Sequence, residues 1–173
     1  MKKNIVLLGF MGTGKTVVGK ALSNKLNLPL YDTDDLVESR SRMSINEIFD
    51  QHGENYFREL ETKILREFLT YETCIISTGG GIVLKEDNWK ILDDNPQGLK
   101  VSLMATPDTV YERVKDDDLR PLLQVEDPYQ RICELLEKRK ELYLKAEVVI
   151  WTDGKTVEEL VDDIIGYYKA RDN

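Results

Sequence analysis

The stretch Gly9-Phe10-Met11-Gly12-Thr13-Gly14-Lys15-Thr16 sets glycines, a lysine and a hydroxyl at the spacing of a phosphate cradle. Gly12, Thr13 and Gly14 can turn the backbone so that successive N–H groups, with that of Val17, face phosphate oxygens. Lys15 can then reach the β- and γ-phosphates, and the Thr16 hydroxyl is placed to ligate Mg²⁺. A glycine-rich turn with a surface lysine is the bland alternative. It is set aside because the apolar run Ile5-Val6-Leu7-Leu8 precedes the motif and a helical pattern follows it. The chemistry implied is binding of a nucleoside triphosphate.

Several other residues could complete such a site. In Tyr31-Asp32-Thr33-Asp34, at the end of an apolar run, alternation along a strand sends Asp32 and Asp34 to one side. One can face a metal while the other meets an acceptor hydroxyl, or the cluster simply caps a helix starting near Asp35. Arg58 and Glu61 stand three apart in a helical pattern; as a surface ion pair they contribute only about 0.2–0.5 kcal/mol. Gly79-Gly80-Gly81 follows a strand pattern and reads either as a tight turn or as backbone that a ligand approaches closely. Residues 116–127, between two helical patterns, have the length of a mobile functional lid. They hold Arg120 and open on Asp116-Asp117-Asp118, either a solvated surface or charge that repels phosphates and keeps the lid open. Arg113 reads as a helix-end cation favourable to the dipole. His52, in a turn before Gly53, is given no role.

The elements that must position these groups alternate along the chain. Apolar runs at 3–8, 29–31, 74–77, 100–104 and 147–151 read as buried strands with helices between them. The pattern predicts an α/β fold of three layers, a five-stranded parallel sheet flanked by helices. In such sheets ligands bind beyond the carboxyl ends of the strands. Ser44 with Glu47 and Thr156 with Glu159 have capping-box spacing, and Thr106-Pro107 puts proline at a first helical position. Val157, Leu160, Val161, Ile164 and Ile165 form the apolar face of a last helix, and Trp151 reads as packing at a strand end.

The chain has 173 residues, the length of a single domain, with 41% hydrophobic and 32% charged residues. A net charge of −8 argues against a nucleic-acid or anionic-membrane partner, and no segment approaches the roughly 18 apolar residues of a membrane span. Cys74 and Cys133 lack metal-ligand spacing and read as reduced, buried residues of a cytoplasmic protein.

Taken together, the motifs resemble the shikimate kinase family, within the nucleoside monophosphate kinase-like group of P-loop proteins. The resemblance runs over residues 4–151. It rests on the stretch 9–16, then Asp32-Thr33-Asp34, Gly53-Glu54-Asn55-Tyr56-Phe57-Arg58-Glu59-Leu60-Glu61, Ser77-Thr78-Gly79-Gly80-Gly81, Arg120-Pro121-Leu122-Leu123, and Arg139 with Leu142-Tyr143. It implies a P-loop kinase fold with a mobile lid at about 116–127 and an acceptor-binding segment at about 33–61.

The activity implied is ATP-dependent phosphorylation of the 3-hydroxyl of shikimate, with Lys15, Asp34 and Arg120 as catalytic groups. By the same resemblance, Asp34 meets the attacking hydroxyl and Asp32 holds Mg²⁺ beside Thr16. Arg58 and Arg139 grip the acceptor carboxylate, Glu61 orients Arg58, and Gly79, Gly80 and Gly81 approach the ring. Arg113 flanks adenine and Arg120 meets the γ-phosphate. The chain departs from the family at 151–156, where adenine contacts are expected, and at Glu141 in place of a proline. A gluconate-type sugar-acid kinase is the rival in the same class, and a noncatalytic nucleotide-binding regulatory protein is the rival outside it. A guanine-reading Asn-Lys-x-Asp motif is approached only at Asn24-Lys25-Leu26-Asn27, which lacks the aspartate. A cytoplasmic monomer acting on ATP and shikimate, with no nucleic acid or membrane, is the resulting expectation.

Overall fold

A computed structural model describes residues 4–70, 73–95, 98–116 and 121–171. All five expected strands are present: β1 Ile5–Gly9, β2 Leu30–Asp32, β3 Ile75–Ser77, β4 Leu99–Met104 and β5 Val148–Trp151. They form one sheet in the order β2-β3-β1-β4-β5, every pairing parallel. Between and after them run α1 Lys15–Leu26, α2 Thr33–Ser41, α3 Ile45–Phe68, α4 Glu86–Asp93, α5 Pro107–Val114, α6 Pro128–Tyr143 and α7 Val157–Ala170.

The sheet is buried on both sides, which is why its strands read as continuous apolar runs. In β1, Ile5 and Leu7 pack with α1 and α7, while Val6 and Leu8 face the core built on α3, α4 and α6. Both capping boxes form, Ser44 with Glu47 and Thr156 with Glu159, and Thr106 caps α5 with Pro107 next in the chain.

Four local expectations need correction. β2 ends at Asp32 and α2 begins at Thr33, so Asp34 stands in the first turn of a helix and strand alternation does not place it. His52 is helical, because α3 runs through it and breaks at Gly53, where φ is 80° and ψ 170°. Trp151 is 46% exposed at the end of β5, short of the packing expected of it. Of the two cysteines, Cys74 is buried and Cys133 only partly so.

β1 and its two neighbours end beside one another at the carboxyl edge of the sheet. There β1 leads into the glycine loop 9–14 and β3 into the glycines at 79–81. The chain reverses its direction of travel across the sheet at β1, the switch point at which parallel sheets open a crevice. Among the described residues no helix is long and apolar enough to cross a membrane.

Candidate active site

A cleft of about 600 Å³ lies over the loop between β1 and α1. Gly12, Thr13, Gly14, Lys15, Thr16 and Val17 all line it. Gly14 caps α1 at φ 96°, a left-handed conformation that lets the helix start directly off the loop. Lys15 Nζ donates to the carbonyls of Gly9 and Phe10, both at 2.8 Å, and the Thr13 hydroxyl donates to Phe10 at 2.7 Å. The loop is thus held by its own side chains while the amino end of α1 faces the cleft.

Arg113, at the end of α5, is exposed yet not unattached. It crosses to the loop, donating to Gly12 O and to the Thr152 hydroxyl, each at 3.0 Å. Thr152, Lys155 and Val157 form the far wall of the cleft, contacts that the sequence left open because 151–156 departs from the family pattern. Asp153 turns instead to α5. Its carboxylate accepts from the Thr106 N–H at 3.1 Å and hydroxyl at 2.7 Å.

Asp32 and Asp34 both line this cleft. Asp32 also caps α2, its Oδ1 accepting from the Asp34 N–H at 3.0 Å, so it is both a helix cap and a lining residue of the cleft. Asp34 Oδ1 is buried with no hydrogen-bond partner among the described residues. Burial, helped by the charge of Asp32 and opposed by Lys15 and Arg58, raises its pKa to about 6. The Thr16 hydroxyl and the Asp32 carboxylate are hard oxygen donors in the same cleft. The described residues hold no cage of three or more His, Cys, Asp or Glu for a metal. Such a donor set fits Mg²⁺, which is bound by one or two carboxylates together with phosphate oxygens and water.

A second cavity of about 320 Å³ adjoins the first. It gathers Asp34 from α2, Arg58 and Glu61 from α3, the three glycines after β3, and Arg139 from α6. Arg58 and Arg139 are 8% and 5% exposed, and Glu61 is fully buried. These two cations lie on the core side of their helices, packed against the rings of Phe57 and Phe10. Arg58 Nη1 donates to Glu61 Oε2 at 2.5 Å, while its Nε and Nη2 share Glu54 Oε1 at 3.2 and 3.0 Å. Glu54 stands in the family stretch but was given no role from the sequence, although its spacing of four from Arg58 on one helix carries the signal. Burial lifts the Glu61 pKa to about 7 against the opposing charge and hydrogen bond of Arg58.

Close approach explains the glycines. A β-carbon on Gly81 would collide with the Arg58 guanidinium, and one on Gly79 would meet Asp34 Oδ1 and Glu61 Oε1. The Gly79 N–H donates to the Thr33 hydroxyl at 2.8 Å and the Tyr143 hydroxyl donates to Gly80 O at 2.6 Å. Thr33 and Tyr143 were assigned no contact of this kind from the sequence. Phe49, Phe57 and Leu122 supply apolar wall.

The two cavities share Met11, Asp34 and Gly80. A phosphate donor in one and a small hydroxylated acceptor in the other would therefore meet at the Asp34 carboxylate. Of the expected lid, Arg120 and two of the three aspartates lie outside the described residues. Leu122, just beyond them in the turn Pro121–Leu123, reaches the acceptor cavity.

A family model described as shikimate kinase matches residues 11–169. A shikimate kinase of Thermodesulfovibrio yellowstonii is 44% identical over 171 residues, covering 99% of this chain and 98% of that protein. The structure of shikimate kinase from Acinetobacter baumannii in complex with shikimate superposes with a TM-score of 0.92 at 34% identity, over 97% of this chain and 93% of that one. That of Aquifex aeolicus gives 0.84 at 36% identity, over 97% of each chain. A gluconokinase from Sinorhizobium meliloti gives 0.64 at 16% identity, a likeness of fold alone. The match of sequence along nearly the whole chain and the agreement of fold lead to one assignment: the chain belongs to the shikimate kinase family.

Proposed function

We propose that the chain transfers the γ-phosphoryl group of ATP to the 3-hydroxyl of shikimate, giving shikimate 3-phosphate and ADP for aromatic amino-acid biosynthesis. Membership of the family supports this reading, and the observation that carries it is the meeting of the two cavities at Asp34. Phosphoryl transfer asks a protein for positioning, cationic surroundings and exclusion of water more than for covalent chemistry.

The residues divide that work. Backbone N–H groups of 12–17 and the Lys15 ammonium cradle the β- and γ-phosphates. Arg113 forms the wall beside the base. Arg58 and Arg139 hold the acceptor carboxylate, each guanidinium offering two parallel donors. Glu61 and Glu54 keep Arg58 from swinging. Asp34 accepts a hydrogen bond from the attacking hydroxyl and takes its proton late in transfer. Its buried Oδ1, without a partner among the described residues, is the atom suited to that bond. Arg120, by the family resemblance, brings positive charge to the transferring group, a role worth about 10³–10⁵ in rate in related enzymes. Thr16 and Asp32 would hold Mg²⁺, which would supply positive charge against the phosphates.

We infer a cytoplasmic monomer acting on small molecules; a net charge of −8 speaks against a nucleic-acid partner. ADP release measured with ATP and Mg²⁺ over shikimate, quinate, gluconate and AMP tests the proposal. Saturable turnover of shikimate alone is expected; turnover of gluconate or AMP in its place overturns the acceptor.

A further inference from the structure

The glycines at 79–81 are held from two sides. Thr33, fully buried, accepts from the Gly79 N–H at 2.8 Å, and Tyr143, also fully buried, donates to Gly80 O at 2.6 Å. Tyr143 ends α6 one helical turn after Arg139, whose charge lies near enough to the phenol to oppose the effect of burial on it. Arg139, Tyr143, the Gly80 carbonyl and the acceptor cavity thus form one chain of contacts. Gly80 O belongs to the same peptide unit as the Gly81 N–H. A hydrogen bond accepted at the carbonyl draws electron density through that unit and makes the N–H a stronger donor. Gly80 and Gly81 both line the cavity with Arg58 and Arg139.

We propose that Tyr143 is a positioning residue for the acceptor, its hydroxyl fixing the Gly80–Gly81 peptide in register with Arg139 and strengthening the Gly81 N–H as a donor to the acceptor carboxylate. This rests on the functional reading above and extends it to a residue that touches neither substrate. Burial keeps the phenol protonated, its pKa raised to about 12 despite the nearby Arg139 charge, so the donor persists across the working pH range. A tyrosine that merely filled the core would need its hydroxyl satisfied, but by no particular partner. This one is satisfied by the carbonyl of Gly80, a residue that lines the acceptor cavity together with Gly81.

The split between kinetic constants separates the two roles. Tyr143→Phe keeps the ring and removes the hydroxyl. Ground-state acceptor binding is weakened, so KM for shikimate rises about tenfold, with kcat within about threefold and KM for ATP within about twofold of wild type. A core-filling role would instead lower thermal stability and leave KM for shikimate within about twofold, which overturns the inference. 3-Fluorotyrosine at 143 preserves shape and donates more strongly, and it decides the matter if the phenylalanine variant does not fold. KM for shikimate should then fall and the Gly81 amide proton move downfield in the NMR spectrum. Neither changing overturns the proposal. Wild-type enzyme that turns over shikimate, with both variants unchanged, sinks this inference alone. Wild-type enzyme inactive on shikimate sinks the functional reading and this inference with it.

Discussion

Arg58 and Glu61 meet at 2.5 Å inside the protein, on the face of α3 that also buries Phe57, Ile64 and Leu65. Breaking a buried pair leaves a charge uncompensated and costs about 3–5 kcal/mol, the lower end applying here because Glu54 still holds Arg58. Glu61→Ala should lower the melting temperature by about 6–12 °C and raise KM for shikimate by at least about tenfold, with KM for ATP unchanged. Calorimetry and steady-state kinetics read the two effects.

The same carboxyl group leaves a pH signature. Its folded pKa, about 7, lies above its ordinary 4.5, so the folded state holds the proton more tightly than the unfolded chain does. Its stabilising contribution is full below pH 4.5 and is lost as pH rises toward about 7. Denaturant titrations of wild type against Glu61→Gln should show wild type losing ground across that window and a constant difference on either side. An unchanging difference throughout would contradict the burial of this group.

Asp34→Asn tests proton acceptance. It should cut kcat by at least about 10² while leaving the fold as stable or more so, because it removes a buried carboxylate whose ionisation burial and Asp32 both disfavour. A near-wild-type kcat removes Asp34 from the chemistry.

Gly81→Ala puts a β-carbon into the space of the Arg58 guanidinium, which Glu61 and Glu54 prevent from moving aside. KM for shikimate should rise at least about tenfold with KM for ATP unchanged. Equal rises in both constants would point to a general distortion of the carboxyl edge of the sheet.

Arg113→Ala removes donors from Gly12 O and from Thr152. The loop and the far wall of the cleft lose that tie, so KM for ATP should rise about tenfold while KM for shikimate stays constant. An unchanged KM for ATP returns Arg113 to the role of a helix-end cation.

The five strands, both capping boxes and the phosphate cradle were legible along the chain because each depends on neighbours in sequence. Runs such as Ile5-Val6-Leu7-Leu8 are long enough to announce a strand buried on both faces. Asp34 was placed by strand alternation and stands in a helix instead. A three-residue strand running straight into a helix has too short a period to read.

Arg58 and Glu61 show where local reading stops. By spacing alone they are a weak surface pair. The structure puts them in the apolar stripe of α3, as it puts Arg139 in that of α6 beside Leu135, Leu136 and Tyr143. A charge at a core-facing helical position was the signal, since such burial is costly unless a partner or ligand compensates it.

What the linear order of residues determined was the set of parts: a phosphate loop between a strand and a helix, a glycine run after another strand, and acids and arginines with family spacing. Tertiary structure alone decided that these parts share a place. The Tyr143 hydroxyl and Gly80 carbonyl are 63 residues apart in the chain, and the two cavities join at Asp34 only because β1 and β3 lie side by side under the helices that cover them. Local preference acts over one turn or one strand, whereas the site is set by which helix faces the sheet buries together.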